Sequence, residues 1–192
     1  MDQSTGRDLV RKYADKDITV RHLISVEGVM RALARHFDED VERWGLAGLF
    51  HDLDQDQTHD EIERHGHQSV EWLRAEGYDD ADVLNAVLAH VDEDYRTDLM
   101  SRSIVHADGV AGLLVACALV RPNRADGMKV SSVKKKLKEK SFAPGVERDK
   151  IRDVEESIGV PMEQFIGISI SGLQEVAADI GLGESAQGAG GA

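Results

Sequence analysis

Apolar residues recur along this chain at steps of three and four rather than two, a period that predicts helices and gives no convincing strand. A short first helix covers residues 5–14 and stops before Asp15-Lys16-Asp17. Thr19 is placed to cap a second helix that runs to about His36, with His22, Val26, Val29 and Leu33 on its inward stripe. Asp38-Glu39-Asp40 forms an acidic cap for a third helix, about 39–51, whose apolar run (Trp44, Leu46, Ala47, Leu49, Phe50) ends in His51-Asp52. After a polar, turn-rich stretch, a fourth helix at about 60–76 presents Ile62, His65, Ser69, Trp72 and Leu73 on one face and ends at Gly77. His67 is turned away from that face by about 200°. Asp79-Asp80 opens a fifth helix with Val83, Ala86, Val87 and His90 inside. The sixth, about 99–120, is the most apolar, and Asp108 lies on the same stripe as Ile104 and Val115. Arg121-Pro122-Asn123-Arg124 breaks it, and residues 147–158 and 161–180 read as two closing amphipathic helices.

The expectation is an all-α, single-domain, multi-helix bundle over residues 1–180, with a core at 19–120 and a C-terminal extension at 121–180. The Gly/Ala-rich residues 181–192 read as a disordered tail. A length of 192 residues suits one domain, and sparse aromatics (5%) among many Ala, Leu, Val, Glu and Arg favour helices. The net charge of −13 disfavours nucleic acid and anionic membranes as partners and attracts cations. One cysteine, Cys117, excludes an internal disulfide. No basic-then-apolar signal opens the chain, and no apolar run is read as approaching the ~20 residues of a membrane span, so the expected location is cytoplasmic. Nothing in the sequence fixes an oligomeric state.

Chemistry enters at His51-Asp52. Neighbours on a helix diverge by about 100°, but at a released helix end an imidazole and a carboxylate can converge on one divalent cation. His22, His65 and His90 fall on inward faces too, although a buried histidine bonded to a carbonyl accounts for any one of them alone. Asp108 is less easily explained, because a carboxylate stranded in a core costs several kcal/mol without a partner. A buried salt bridge would answer for it, and a metal would do so more fully. Asp54, Asp56 and Glu93 flank the set in acidic loops, as candidates to steer water or protonate a leaving group alongside Asp52. Arg121, Arg124, Lys129, Lys134 and Lys135 belong to a basic stretch that reads either as a solvated face or as a phosphate-contacting arm. The six donors, His22, His51, Asp52, His65, His90 and Asp108, contain no sulfur, so a thiolate zinc site is excluded.

The order His22 … His51-Asp52 … His65 … His90 … Asp108 resembles the HD superfamily of metal-dependent phosphohydrolases over residues 19–120. The block from Leu119-Val120-Arg121-Pro122 to Lys140-Ser141-Phe142-Ala143 is similar to a bacterial and archaeal subgroup of predicted HD hydrolases without a settled substrate. The resemblance implies a helical domain with a metal centre between helices. It implies that His22, His51, Asp52 and Asp108 hold a first ion, that Asp52 bridges to a second, and that His65 and His90 serve the second. One or two divalent ions are implied, with Mn, Fe, Co, Ni, Mg and Zn undistinguished. Many relatives continue the His-Asp pair with Ile-Gly-Lys, whereas Leu53-Asp54-Gln55 stands here, so the lysine credited with contacting phosphate is missing.

The implied activity is hydrolysis of a phosphomonoester or phosphodiester, of a nucleotide or another small phosphorylated metabolite, by metal-activated water. The alternatives are a nucleotide-sensing or structural metal module without turnover and a di-iron oxygenase.

Overall fold

The computed structural model describes residues 1–183, and among them the regular structure is helical throughout. In chain order the helices are α1 (Gln3–Tyr13), α2 (Asp17–Phe37), α3 (Val41–Phe50), α4 (Gln55–Thr58), α5 (His67–Ala75) and α6 (Ala81–Ala89). A 3-10 turn, Glu93–Tyr95, leads to α7 (Leu99–Leu119), followed by α8 (Val130–Lys138), α9 (Arg148–Arg152), α10 (Val154–Ile158) and α11 (Met162–Val176).

Two long helices, α2 and α7, carry the core. Val26, Val29, Met30 and Leu33 are fully buried along α2, which packs most extensively on α3 and α11. Removing such a side chain, as in Leu33→Ala, costs on the order of 2–5 kcal/mol. Helix α7 contacts α2, α3, α6, α8, α9, α10 and α11, so it is the central member of the bundle. Contrary to the sequence reading, Leu99–Leu119 is long and apolar enough to cross a membrane, by length and composition alone, and 67% of its apolar window is buried inside the bundle.

Aspartates start the helices that matter for the site. Asp40 accepts from the Glu42 and Arg43 amides at the start of α3, and Asp80 does the same for Asp82 and Val83 at α6. Asp98 and Ser101 form a reciprocal capping box on α7. Thr19 is not the cap of α2. That helix begins at Asp17, and the Thr19 hydroxyl donates to Asp56 Oδ1 at 2.8 Å.

Two further expectations are corrected. No single helix covers 60–76: turns occupy 59–66 and α5 begins at His67, so His65 stands in a turn and Ile62 is 83% exposed. The interruption has a local cause, because Gly66 adopts φ 78° in the left-handed region, where side chains other than glycine's are disfavoured. At the C-terminus, Gly181–Gly183 continue the ordered chain, with Leu182 buried and accepting from the Ala125 amide at 3.3 Å. The rest of the expected tail, 184–192, lies outside the described residues.

Candidate metal centre

His51 and His90 occupy the same local position on different helices. Each is the C-cap residue, of α3 and α6 respectively, and each directs its Nδ1 at the carbonyl three residues back, Gly48 O for His51 (2.9 Å) and Val87 O for His90. Carbonyls only accept, so the proton is on Nδ1 and Nε2 presents a lone pair inward. His65 holds a proton on Nδ1 by another route. Its Nδ1 faces Asp54 Oδ1 at 2.9 Å and Thr58 Oγ1 at 3.0 Å, while the Thr58 hydroxyl donates to Asp54 O. Nδ1 therefore carries a proton, and Nε2, 3.0 Å from Asp52 Oδ1, can take a cation once it gives up the second proton that, against burial, Asp52 and Asp54 favour.

The donors converge as two triads. His22, His51 and Asp108 form one, and Asp52, His65 and His90 the other; within each, the ligand atoms lie within 4.8 Å of one another. Asp108 Oδ1 is 3.2 Å from His22 Nε2 and 3.9 Å from His51 Nε2, well within the roughly 8 Å beyond which no common ion could touch both. Asp52 Oδ1 is 3.0 Å from His65 Nε2 and 3.5 Å from His90 Nε2, and those two nitrogens are 3.3 Å apart. His51 and Asp52 are adjacent in the chain and the His51 and His90 rings are 5.2 Å apart, so the triads make one contiguous centre. Through its Oδ1, Asp52 groups with His65 and His90.

The donors fit a cation. His51 Nε2 and Asp52 Oδ1 are buried and in no hydrogen-bond geometry with any partner, and lone pairs on three imidazoles and a carboxylate repel unless a positive charge lies between them. The electrostatics agree. Burial pushes the His51 imidazole down to about 4, so it is neutral and ready to coordinate. Burial would raise Asp52 and Asp108, but His65 and His90 around the first, and His22 and His51 with Lys150 around the second, hold both well below the ordinary carboxylate range.

The flanking acids are placed unequally. Asp54 is fully buried, and its Oδ2 accepts from the Gly66 and Ser69 amides at 2.8 and 3.0 Å, so it caps α5 while its other oxygen faces His65. Asp56 accepts from the Lys16 amide and the Thr19 hydroxyl, both at 2.8 Å, and ties the start of α2 to α4. Neither presents a free carboxylate to a substrate. Glu93 is exposed on the 3-10 turn, three residues beyond His90, and His67 is exposed and faces Tyr95.

The basic stretch is not at the centre. Arg121 donates to the carbonyls of Arg124 and Asp126, and Arg124 to that of Leu119, so both close the turn after α7. Lys134 pairs with Glu163, Lys129 caps α8, and Lys135 lines a separate hollow with Arg121 and Cys117. Along α7, Cys117 and Arg121 are about 14 and 20 Å from Asp108.

The cation beside the centre is one the sequence reading did not single out, Lys150. Its Nζ is 3.2 Å from Asp108 Oδ2 and 2.8 Å from Glu147 Oε1. Two neighbours of Asp108 receive its helix. His106 bonds Lys150 O through Nδ1, and a Cβ on Gly109 would come within 2.9 Å of Lys150 Cβ, so only glycine lets α9 lie this close. Arg148 donates to the carbonyls of Leu137 (3.1 Å), Glu139 (3.0 Å), Phe142, Ala143 (3.4 Å) and Val146 (3.1 Å), folding the loop after α8 around its guanidinium. That loop delivers α9. No pattern of spacing marks it, since the contact from Lys150 spans 42 residues.

Comparison with known proteins agrees with this geometry. No match is found among curated proteins or among solved structures. The family model for the HD domain matches residues 19–129, more than half of the chain and a span that contains all six donors. The chain belongs to the HD domain family.

Proposed function

We propose that this chain is a metal-dependent phosphohydrolase acting on a phosphomonoester or phosphodiester of a small metabolite. The observation that carries the reading is the convergence of six nitrogen and oxygen donors from the ends of α3 and α6, the turn before α5, the second turn of α2 and the middle of α7, with His51 Nε2 and Asp52 Oδ1 buried and without a hydrogen-bond partner. Divalent ions held there would polarise a phosphoryl oxygen and supply ionised water at neutral pH. His22, His51 and Asp108 would hold one ion, and Asp52, His65 and His90 the other.

The remaining roles belong to residues around the cage. Asp54 fixes the ring of His65, as outer partners of metal-ligating histidines do. Lys150 keeps one N–H beyond its contacts with Asp108 and Glu147, and its side chain is 20% exposed. It thus supplies positive charge at the rim, in place of the lysine missing after the His-Asp pair. Among the flanking acids Glu93 is the candidate to protonate the leaving oxygen, because its carboxylate is exposed.

The test is elemental analysis of the purified protein, then a screen of phosphoesters with each of Mn, Fe, Co, Ni, Mg and Zn. Bound metal with turnover that Asp108→Ala abolishes together with the metal is the expected result. Tight metal binding with no turnover across the panel would favour a sensing or structural module, and visible absorption after aerobic iron loading would favour oxygen chemistry.

A further inference from the structure

The stripe of α7 that carries Asp108 does not run into the core as its sequence pattern predicts. Steps of four, three, one and three lead from Asp108 to Gly112, Val115, Ala116 and Leu119, and every one of these is half-buried or exposed, Leu119 at 54%. Opposite them stand Ile18 at the start of α2, 74% exposed, and Ile180 and Leu182 from the C-terminal end. Together these walls enclose a cleft of about 490 Å³, and His22 lines it. The metal centre is therefore at one end. His22 also lines, with Asp52, a smaller hollow of about 160 Å³ that opens on the second triad. From Gly112 to Leu119 the cleft follows α7 for about 10 Å, and Asp108 stands one turn before it.

The lining restricts the occupant. Its polar members, Asp17, Arg21 and His22, all come from the start of α2, where Asp17 and Arg21 pair at 2.6 Å, while the α7 wall and the C-terminal residues Ile180 and Leu182 are aliphatic or glycine. A nucleobase brings polar ring edges around its perimeter, and along α7 and at Ile180 and Leu182 the walls offer them no side-chain donor, acceptor or aromatic face. A hydrocarbon chain needs only apolar surface, and a volume of this size is ordinary for a small-molecule site.

We propose that the cleft holds the apolar alcohol portion of the substrate, which is the phosphoester of an aliphatic alcohol with its phosphate at the metal centre and its chain along α7. The phosphate end rests on the phosphohydrolase reading, and the chain end does not. This sets an aliphatic alcohol ahead of the nucleotide suggested by the sequence.

Binding of octylphosphonate and methylphosphonate to the manganese-loaded protein, followed by calorimetry, tests the cleft without requiring turnover. Each buried methylene contributes about fourfold in affinity, so octylphosphonate should bind at least roughly 100-fold more tightly. Ala116→Arg, within the cleft, and Leu119→Asp, at its exposed rim, should each reduce octylphosphonate binding at least tenfold and leave methylphosphonate unchanged. Equal binding of the two phosphonates, or a chain-length effect that survives both substitutions, overturns the proposal. Tighter binding of adenosine monophosphate than of octylphosphonate does so too. If the substitutions change only the sedimentation of the protein, the cleft belongs to a second copy of this chain and the proposal falls. If the chain-length effect is present while no phosphoester is turned over with any metal, the cleft stands and the hydrolase reading fails.

Discussion

Lys150 Nζ lies 3.2 Å from Asp108 Oδ2, the oxygen turned away from the histidines, while Asp108 Oδ1 faces His22. The lysine thus fixes the ligand from behind. Lys150→Met should weaken metal binding about 10- to 100-fold, the usual cost of losing an outer partner. The melting temperature of the metal-free protein should also fall, because the pair is only about one-fifth exposed and the Asp108 carboxylate is left with the histidines alone. Lys150→Arg should recover part of the affinity. Metal titrations of the three proteins decide the matter, and unaltered affinity in Lys150→Met would show the contact to be incidental.

Asp54 joins two tasks that are separable by substitution. Its carboxylate caps α5 through Gly66 and Ser69 and also faces His65 Nδ1. Asp54→Asn keeps an acceptor for the amides but removes the charge beside the imidazole. It should lower metal affinity by about 10- to 100-fold with a modest loss of stability, on the order of 1 kcal/mol. Asp54→Ala should lose both. Unaltered metal affinity in Asp54→Asn would leave Asp54 as a cap only, and equal losses of stability in the two variants would show that the bonds to the Gly66 and Ser69 amides contribute little.

The helical period made α2, α3, α6 and α7 legible to within a few residues, and with them His51 and His90, where burial and period coincide, whereas His22 and Asp108 fall on stripes that are only partly buried. His65 reads as part of a helix face because residues 60–76 carry a helical period, yet Gly66 and the distant carboxylate of Asp54 start the helix later. Charge was misleading for a different reason. A run of lysines is conspicuous in an acidic chain, but proximity to the site depends on where α9 docks, and that is decided by His106, Gly109 and the carbonyls around Arg148. Single residues with long-range partners leave no period to read.

The basic stretch gives a contrasting expectation. Lys129 and Lys135 are exposed, and neither is near the two triads along α7. Replacing both by alanine should change KM for any phosphoester less than about twofold, since exposed charges at such distances are largely screened at physiological salt. A large rise in KM, measured beside Lys150→Met, would return substrate binding to the 121–136 segment.

The pH dependence should have opposite signs with and without metal. In the metal-free protein, burial acts to lower the His65 pKa, but Asp52 and Asp54 outweigh it and raise it to about 9. A histidine raised from about 6.5 contributes its stability in full below pH 6.5, and that contribution is lost as the pH climbs through 9. Coordination needs the neutral ring, so an ion at Asp52, His65 and His90 must displace the proton and binds more tightly as the pH rises. His51, lowered to about 4 chiefly by burial, is neutral across this range and adds no slope. The melting temperature of the metal-free protein should therefore fall between pH 6.5 and 9, while the increase produced by added manganese grows over the same interval. Affinity at this triad should rise about tenfold per pH unit below 9. His65→Ala should reduce both trends to the part contributed by His22, which, against burial, Asp108 likewise holds above the ordinary histidine value. A manganese effect independent of pH in the unmodified protein would mean that neither histidine carries a proton for the metal to displace.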